Sequence, residues 1–222
     1  MSIAQNVRVE QRDDGSKIYI VKKIGEVPKK PLYCFFKRVF DFAFSFLALV
    51  VLAIPMLILS LVVLINSEGP AIYKQERVGL NGKHFTLYKF RSMRMDAESN
   101  GAQWAVDDDP RVTKVGRFMR MTRLDELPQL INIIKGDMSF VGPRPERPVF
   151  YEKFAEYIDG FDERLKVVPG LTGLAQISGG YNLKPEEKVA YDIEYIENRS
   201  LWFDLKLVFN TVAVVFTHDG AK

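Results

Sequence analysis

A 27-residue apolar run at positions 39–65, VFDFAFSFLALVVLAIPMLILSLVVLI, constrains this chain more than any other feature. Apart from a proline, only Asp41, Ser45 and Ser60 interrupt it. A helix needs about 20 residues to cross the hydrocarbon of a bilayer, so this run is long enough. A buried core helix is the alternative, but a domain of this size rarely encloses one helix on all sides. The run therefore predicts a membrane helix.

Two features argue against a plain transmembrane span. Pro55 divides the run into pieces of 16 and 10 residues, roughly 24 and 15 Å long at 1.5 Å per residue. The second piece is too short to cross alone. Basic residues flank both ends of the run: Lys29, Lys30, Lys37, Arg38, Lys74 and Arg77. Because positive flanks favour the cytoplasmic side, we interpret the segment as a re-entrant anchor kinked at Pro55, with a kinked full span as the alternative.

Length and composition narrow the remaining choices. A chain of 222 residues suits one domain with one core. The formal net charge of +3 does not indicate a nucleic-acid-binding protein, and the lone Cys34 excludes an internal disulfide. His84 and His218 with one cysteine do not make up a structural zinc site. The first 30 residues are polar, so the sequence predicts no cleavable signal peptide there.

Residues 120–147, RMTRLDELPQLINIIKGDMSFVGPRPER, hold the densest group of reactive side chains. If Asp125 is an N-cap, Pro128 falls in the first turn of a helix, where its missing N–H costs nothing. That helix would run to about Lys135 and would place Asp125 and Glu126 at its positive end. Helical spacing would then turn three apolar side chains inward: Leu127, Ile131 and Ile134.

Two interpretations of this stretch stay open from spacing alone. The acids could simply cap a helix and pair with Arg120 and Arg123. Alternatively, they could bind a metal or attack phosphorus in a phosphate site ringed by arginines. Arginine suits phosphate because its planar fork donates two parallel hydrogen bonds. Arg144 lies between two prolines, which stiffen the loop that presents it.

The segment AIYKQERVGLNGKHFTLYKFRSM, which follows the apolar run, predicts a β-hairpin around Gly79-Leu80-Asn81-Gly82. It is rich in basic residues, which would form either a solvated face or a surface that meets anionic headgroups or phosphates. Lys89 and Arg91 occupy alternate positions, so they would share one face of the second strand.

Four further stretches carry weaker predictions. Residues 7–21 form either a small hairpin or an uncommitted tail. Asp107-Asp108-Asp109 before a proline resembles a metal site but is more typical of a loop. Residues 168–176, VPGLTGLAQ, predict a rigid loop whose N–H groups could approach a phosphate. Residues 201–217 are either a core helix or a helix in the membrane interface anchored by Trp202.

The order of these motifs identifies a family resemblance. A basic lead-in, a proline-broken apolar segment, YKFRSM, LDELPQLINIIKGDMSFVGPRP and VPGLTGLAQISG follow one another in the chain. This order closely resembles the bacterial sugar transferases called monotopic phosphoglycosyl transferases. The likeness runs from about residue 37 to 215, and residues 135–145 are its most specific motif. These enzymes move a phosphosugar from a nucleotide diphosphosugar onto undecaprenyl phosphate.

The resemblance implies roles for particular residues. Asp125 corresponds to the nucleophile and Glu126 to its dyad partner, with Mg²⁺ bound by both. Lys89, Arg120 and Arg144 correspond to phosphate-contacting positions, and Arg91 joins them as a candidate because it shares the strand face of Lys89.

Pro55 corresponds to the kink of the re-entrant helix. The serine that often precedes this proline in the family is Ile54 here, a departure that removes one hydrogen bond stabilising the kink.

The expected fold is α+β. Residues 1–36 would be an N-terminal extension with a hairpin, residues 37–67 a re-entrant helix-break-helix, and residues 68–222 a cytoplasmic, membrane-associated catalytic domain of interfacial and core helices with a small β-hairpin. The expected site is the cytoplasmic face of the bacterial inner membrane. Expected partners are a UDP-sugar, undecaprenyl phosphate and inner-membrane lipids, with a homodimer and downstream glycosyltransferases as further candidates.

The expected reaction yields polyprenyl-diphosphate-sugar and UMP through a covalent aspartyl intermediate, as the first membrane step of exopolysaccharide, O-antigen or glycoprotein glycan assembly. A membrane-anchored, metal-dependent nucleotide-sugar hydrolase and a non-enzymatic membrane scaffold are the alternatives. No residue in the sequence specifies which sugar is transferred.

Overall fold

The computed structural model describes residues 6–99, 101–104, 106, 108–180 and 183–217, and these residues form a mixed α+β fold. The strands are β1 (Val7–Gln11), β2 (Lys17–Val21), β3 (Ile72–Val78), β4 (His84–Phe90), β5 (Ser139–Val141), β6 (Ile158–Asp159) and β7 (Gly170–Thr172). The α-helices are α1 (Pro31–Asn66), α2 (Lys114–Met121), α3 (Leu130–Lys135), α4 (Pro148–Ala155), α5 (Leu174–Ser178), α6 (Pro185–Asn198) and α7 (Leu201–Thr217). Short 3₁₀ segments cover Leu80–Gly82, Leu124–Gln129 and Phe161–Lys166.

The apolar run forms a helix that is longer than its sequence pattern predicts. Helix α1 has 36 residues and begins at Pro31, a residue whose fixed φ and missing N–H suit the first helical turn. The helix continues through Pro55, so the predicted break into two helices is not seen in the backbone. Among the described residues, α1 is the one helix long and apolar enough to cross a membrane. Its re-entrant topology stays a prediction.

The polar interruptions of the apolar run lie on the face of α1 that packs against the rest of the protein. Asp41 and Ser45 are buried, and so is Val63 near the end of the helix. Asp41 Oδ1 accepts a hydrogen bond from the Phe140 backbone N–H at 3.1 Å. The opposite face exposes large apolar side chains along most of the helix, among them Phe42, Phe46, Val50, Val51, Ile54, Leu57 and Leu61.

The predicted hairpin between the apolar run and the acidic stretch is confirmed. Strands β3 and β4 pair antiparallel from Ile72–Phe90 to Val78–His84. Asn81 in the connecting turn has φ 52°, a left-handed conformation that asparagine tolerates. Leu87 of β4 packs with Leu130, Ile133 and Met138, so the hairpin rests directly on α3.

The N-terminal extension is a hairpin that is attached to the domain. Strands β1 and β2 pair antiparallel, and β6 adds to β2 in parallel. Val21 is buried in a cluster with Ile158, Phe161, Val189 and Ile193. Of the two interpretations of residues 7–21, the structure supports the hairpin.

The VPGLTG loop pairs with the loop that carries Arg144. Strands β5 and β7 are parallel, and the Gly142 N–H donates to the Thr172 carbonyl at 2.9 Å. The Gly170 N–H donates to the Pro143 carbonyl, also at 2.9 Å, so it is not directed at a phosphate as the sequence suggested. A Cβ on Gly142 would lie 2.4 Å from the Val168 carbonyl oxygen. The glycines therefore allow two backbones to meet closely and hold the Arg144 loop.

Helix α7 packs one face against the domain, and a position in the membrane interface stays a prediction. Its inner face buries Asp204 and Leu207, and Asp204 accepts hydrogen bonds from Tyr33 and Lys37 of α1. Its outer face exposes Trp202 and Phe209, which are 77% and 67% accessible. One side of the helix is thus packed against the domain, and the other side exposes apolar side chains.

Candidate active site

The two acids lie on a 3₁₀ turn and not at the start of an α-helix. Residues Leu124–Gln129 form this turn after Arg123, which has φ 59°, and α3 begins only at Leu130. Pro128 explains the difference, because it cannot donate a helical hydrogen bond and disfavours the α conformation of the residue before it. Asp125 is therefore not the N-cap that the sequence predicted.

The tighter turn also changes which side chains face inward. Ile133 is fully buried and Leu130 nearly so, whereas Ile131, which was predicted to face inward, is exposed. Leu127 and Ile134 are partly buried. Both carboxylates of the turn are buried, at 7% accessible for Asp125 and 8% for Glu126.

Glu126 is bound by two cations from distant parts of the chain. Its Oε1 lies 2.5 Å from Nη2 of Arg144 and 3.3 Å from Nζ of Lys89. Burial raises the pKa of Glu126, but Arg144 and Lys89 outweigh burial and hold the pKa well below its usual range. Glu126 is consequently ionised and draws the strand and the arginine loop together.

Asp125 has a different environment from its neighbour. Among the described residues, no cation lies within salt-bridge distance of its carboxylate. Burial raises the pKa of Asp125, the charge of Lys89 opposes this, and Glu126 adds to the rise, so the net shift is upward. Within the described part of the chain, the oxygens of Asp125 therefore form no ion pair with an arginine or lysine.

All the predicted catalytic and phosphate-contacting residues line one cavity of about 560 Å³. They come from β4 and the residues after it, from α2, from the acidic turn and from the proline-bracketed loop: Lys89, Arg91, Arg120, Asp125, Glu126 and Arg144. Pro55 of α1 is not among the residues that line it. A second cavity of about 280 Å³ shares Glu126 and Arg144 with the first.

Arg120 and Arg91 make hydrogen bonds with neutral groups. Arg120 Nε donates to Ser92 Oγ at 2.9 Å, and in the described structure Arg120 forms no salt bridge with either acid. Of the two interpretations of the acidic stretch, the one that pairs the acids with Arg120 is therefore not supported. Arg91 donates to the backbone carbonyls at the end of α1, those of Ser67, Glu68 and Gly69. A phosphate-binding role for both arginines stays a prediction.

Sequence reasoning missed a buried ionic network behind the Arg144 loop. Arg164 donates to the Arg144 carbonyl at 2.9 Å, and its guanidinium lies 2.8 Å from Oδ2 of Asp192. Arg77 donates to the Pro145 carbonyl at 2.9 Å, and Glu146 lies between the two arginines. Burial raises the pKa of Asp192 to about 6 although Arg164 opposes the rise. No local motif announces these residues, since they meet only in the folded chain.

An aromatic wall that the sequence did not reveal lines the same large cavity. The Trp104 ring meets Phe150 edge-on at 5.1 Å between centroids, and Lys188 Nζ lies 5.1 Å from the Trp104 ring centroid. Arg147 stacks near Phe150 and pairs with Glu98 at 2.7 Å. This wall offers flat apolar surface close to positive charge.

The three-aspartate stretch does not form a metal site in the part of the chain that the structure describes. Asp108 pairs with Arg117 at 2.9 Å and Asp109 with Arg111 at 2.5 Å, while Asp107 lies outside the described residues. Within those residues no three His, Cys, Asp or Glu side chains are grouped as metal ligands. A cation at the acidic turn would thus have two protein carboxylates, those of Asp125 and Glu126.

Comparison with known proteins identifies the family of this chain. Residues 32–218 match the family model described as bacterial sugar transferase. The chain belongs to the bacterial sugar transferase family. It is 40% identical over 203 residues to a UDP-N-acetylgalactosamine-undecaprenyl-phosphate N-acetylgalactosaminephosphotransferase of Aeromonas hydrophila, an alignment that covers 90% of this chain and 48% of the relative.

Two other relatives of this sugar transferase carry related names. It is 40% identical over 214 residues to the UDP-glucose:undecaprenyl-phosphate glucose-1-phosphate transferase of Escherichia coli K12, with 90% of this chain and 46% of the relative covered. It is 42% identical over 202 residues to an undecaprenyl-phosphate galactose phosphotransferase of Salmonella typhimurium, with 84% and 42% covered. The chain spans about half the length of these curated relatives. Their names share the lipid carrier but differ in the sugar.

Proposed function

We propose that this sugar transferase moves a phosphosugar from a UDP-sugar to undecaprenyl phosphate, giving polyprenyl-diphosphate-sugar and UMP through a covalent aspartyl-phosphosugar intermediate. The observation that carries the proposal is the buried Asp125–Glu126 pair in a cavity lined by Lys89, Arg120 and Arg144. The reaction would be the first membrane step of exopolysaccharide, O-antigen or glycoprotein glycan assembly. The names of the relatives support the lipid carrier, and because they differ in the sugar, none is assigned here.

The different environments of the two acids suggest separate roles. An oxygen of Asp125 attacks the sugar-bearing phosphorus, and the bond from that phosphorus to the UMP oxygen breaks, with UMP taking the electron pair. An oxygen of the lipid phosphate then attacks the same phosphorus and releases the Asp125 carboxylate. Asp125 suits the nucleophile because its carboxylate forms no ion pair with any residue that the structure describes, whereas Glu126 holds Lys89 and Arg144 in place.

Lys89 and Arg144 would stabilise the charge that develops on the phosphoryl oxygens. Both already approach one carboxylate oxygen of Glu126, so they are held in position before the substrate arrives. Arg144 can also offer two parallel N–H groups to a phosphate, which a lysine cannot do.

Mg²⁺ fits the acidic turn as a cofactor. Asp125 and Glu126 would hold it, and two carboxylates plus substrate phosphates are a usual ligand set for this ion. The carboxylate of Asp125, buried and without a cationic partner among the described residues, is the group most in need of a counter-ion. When bound, the ion would neutralise charge on the diphosphate oxygens.

The packing of α1 supports a re-entrant placement at the cytoplasmic face of the bacterial inner membrane. One side of the helix contacts the domain from Tyr33, bonded to Asp204, to buried Val63. That distance is about 45 Å at 1.5 Å per residue, longer than the ~30 Å hydrocarbon. If α1 crossed the bilayer completely, the surface of the domain that packs against it would have to enter the hydrocarbon as well. The homodimer and the downstream glycosyltransferase partners stay predictions.

Cysteine labelling tests this placement. In a Cys34→Ser background, single cysteines replace Lys29 or Lys74, two exposed residues that flank α1. Both should react with a reagent confined to the cytoplasmic side of inverted vesicles. Labelling from opposite sides would contradict the re-entrant interpretation and would indicate a full span.

One assay separates the proposed transferase from the two alternatives. Purified protein in detergent receives Mg²⁺ and each of a panel of UDP-sugars, with or without polyprenyl phosphate. The transferase forms lipid-linked sugar only when the lipid is present. A nucleotide-sugar hydrolase releases free sugar phosphate without lipid, and a scaffold turns over nothing. The alternatives also leave features unexplained: a hydrolase has no need of the exposed apolar face of α1, and a scaffold has no need of the buried acid pair.

A further inference from the structure

The second cavity near the acidic turn differs in character from the one that holds Asp125. It has a volume of about 280 Å³ and is lined mainly by apolar side chains. These come from the acidic turn, α3, β5, β7, α5 and α7, and they include Leu127, Leu130, Phe140, Leu171, Ile177 and Val208. Six charged side chains also line it: Arg123, Glu126, Arg144, Glu146, Arg164 and Lys188.

Glu126 and Arg144 line both cavities, whereas Asp125 lines only the larger one. The larger cavity carries all the predicted phosphate-contacting residues and the aromatic wall around Trp104. The smaller one is the more apolar of the two and meets the larger one at a shared group of charged residues, Arg123, Glu126, Arg144, Glu146 and Lys188.

The smaller cavity reaches the exposed side of α7. Val212 lines the cavity and is 51% accessible, so it lies at the edge where the cavity meets the surface. Phe209, three residues earlier on the helix, is also exposed but does not line the cavity. An apolar chain at the outer surface of α7 would therefore meet the apolar side chain of Val212 where it enters the cavity.

We propose that the smaller cavity binds the first isoprene units of the polyprenyl phosphate acceptor, with its phosphate at the Glu126–Arg144 end. This inference rests on the proposed function. The occupant follows from the chemistry of the lining, since a mainly apolar cavity that also contains arginines complements a phosphate with a hydrocarbon tail. The nucleotide sugar would occupy the larger cavity. The lipid phosphate would take the place that UMP leaves, with its tail extending into the smaller cavity.

The test narrows the cavity mouth and measures the two half-reactions separately. Val212→Trp places a large ring at the mouth, at a half-exposed position that tolerates bulk. The matched control is Phe209→Trp, on the exposed part of the same helix but outside the cavity. For each protein we would measure exchange of labelled UMP into UDP-sugar without lipid, and transfer to polyprenyl phosphate across a range of lipid concentrations.

Val212→Trp should keep UMP exchange within about twofold of the unmodified protein while raising KM for polyprenyl phosphate by about tenfold or more. Phe209→Trp should change neither value. An equal rise in KM for both variants would overturn the inference and point to a general effect of the α7 surface. Loss of UMP exchange in Val212→Trp would also overturn it, because the smaller cavity would then serve the donor or the fold.

These outcomes are distinct from failure of the proposed function. If the unmodified protein gives neither exchange nor transfer with any UDP-sugar of the panel, the transferase assignment itself fails. If it is active and Val212→Trp behaves like Phe209→Trp, the assignment stands and only the acceptor site is wrong.

Discussion

The two sides of the Arg144 loop are built from the same residue types but serve different ends. On the cavity side, Arg144 and Lys89 bind Glu126 while Asp125 beside it has no cationic partner among the described residues. On the back, Arg164 and Arg77 donate to the carbonyls of the loop and contact Asp192 and Glu146 in a buried network. The difference teaches that the acid without an ion pair marks the chemistry, and the acids that contact arginines mark the support.

The strongest test of this comparison replaces Asp125, the acid without an ion pair. Asp125→Asn should lower lipid-independent UMP exchange by at least about a thousandfold, because an amide is a far poorer nucleophile and metal ligand. Scintillation counting of UDP-sugar formed from labelled UMP measures it. Glu126→Gln is the matched control and should retain part of the exchange, since it changes the group that positions Lys89 and Arg144. Full exchange in Asp125→Asn would exclude the covalent mechanism.

Removing the arginine contacts behind the Arg144 loop should mainly lower the stability of the fold. Arg164→Met leaves Asp192 buried without its arginine, which should lower the free energy of unfolding by about 3–5 kcal/mol. Adding Asp192→Asn should restore part of the loss, because the stranded charge is then gone. Urea unfolding in detergent, followed by tryptophan fluorescence, measures both. Equal stability of Arg164→Met and the unmodified protein would mean that the network does not support the loop.

Asp192, in the network behind the Arg144 loop, should also make the free energy of unfolding depend on pH. The pKa of Asp192 rises from 3.8 to about 6 on folding, so the folded state holds its proton more tightly. The stabilisation is complete below the unfolded pKa and is lost as pH rises toward 6. The stability of the unmodified protein relative to Asp192→Asn should therefore fall between pH 4 and pH 7, by up to about 3 kcal/mol. A constant difference across that range would contradict the raised pKa.

The smallest expected effect comes from Arg144→Lys, on the cavity side of the loop. This substitution keeps the charge and changes only the geometry of the cation. Arg144→Lys should keep the free energy of unfolding unchanged but lower kcat/KM by about 10- to 100-fold, because lysine offers a point charge where arginine offers a planar fork. Steady-state kinetics and urea unfolding on the same preparation give both values. If the variant turned over as fast as the unmodified protein, Arg144 would have a structural role, like Arg164 and Arg77 behind the loop.

The sequence predicted the parts of the molecule that local patterns encode. The apolar helix and the hairpin with its Asn81 turn rest on regular spacing and turn residues, which neighbours in the chain determine. The grouping of Lys89, Asp125, Glu126 and Arg144 rested on the family resemblance, since Lys89 and Glu126 are 37 positions apart. Lys89 near the end of β4 and Arg91 just after that strand both line the large cavity.

The sequence could not predict features that depend on tertiary packing. The 3₁₀ turn at Leu124–Gln129 shifted the helix phase, so Ile133 is buried where Ile131 was expected. Helix α1 begins earlier than its apolar run because residues of its first turns, such as Tyr33 and Lys37, are polar yet bind Asp204 of α7. The Arg164–Asp192 pair joins segments with no shared motif. In each case the deciding partner lies far along the chain.

The buried side of α1 has a consequence for how this protein can be handled. Val63 packs with Phe90 and Met119, and Asp41 holds the backbone of Phe140, next to the loop of Arg144. Helix α1 is therefore a wall of the domain and not a tether that ends where the domain begins. A chain that starts after Asn66 would lose that wall and open the cores beneath the acidic turn to water. Removing the long apolar helix to obtain a soluble fragment would therefore remove part of the fold that holds the site.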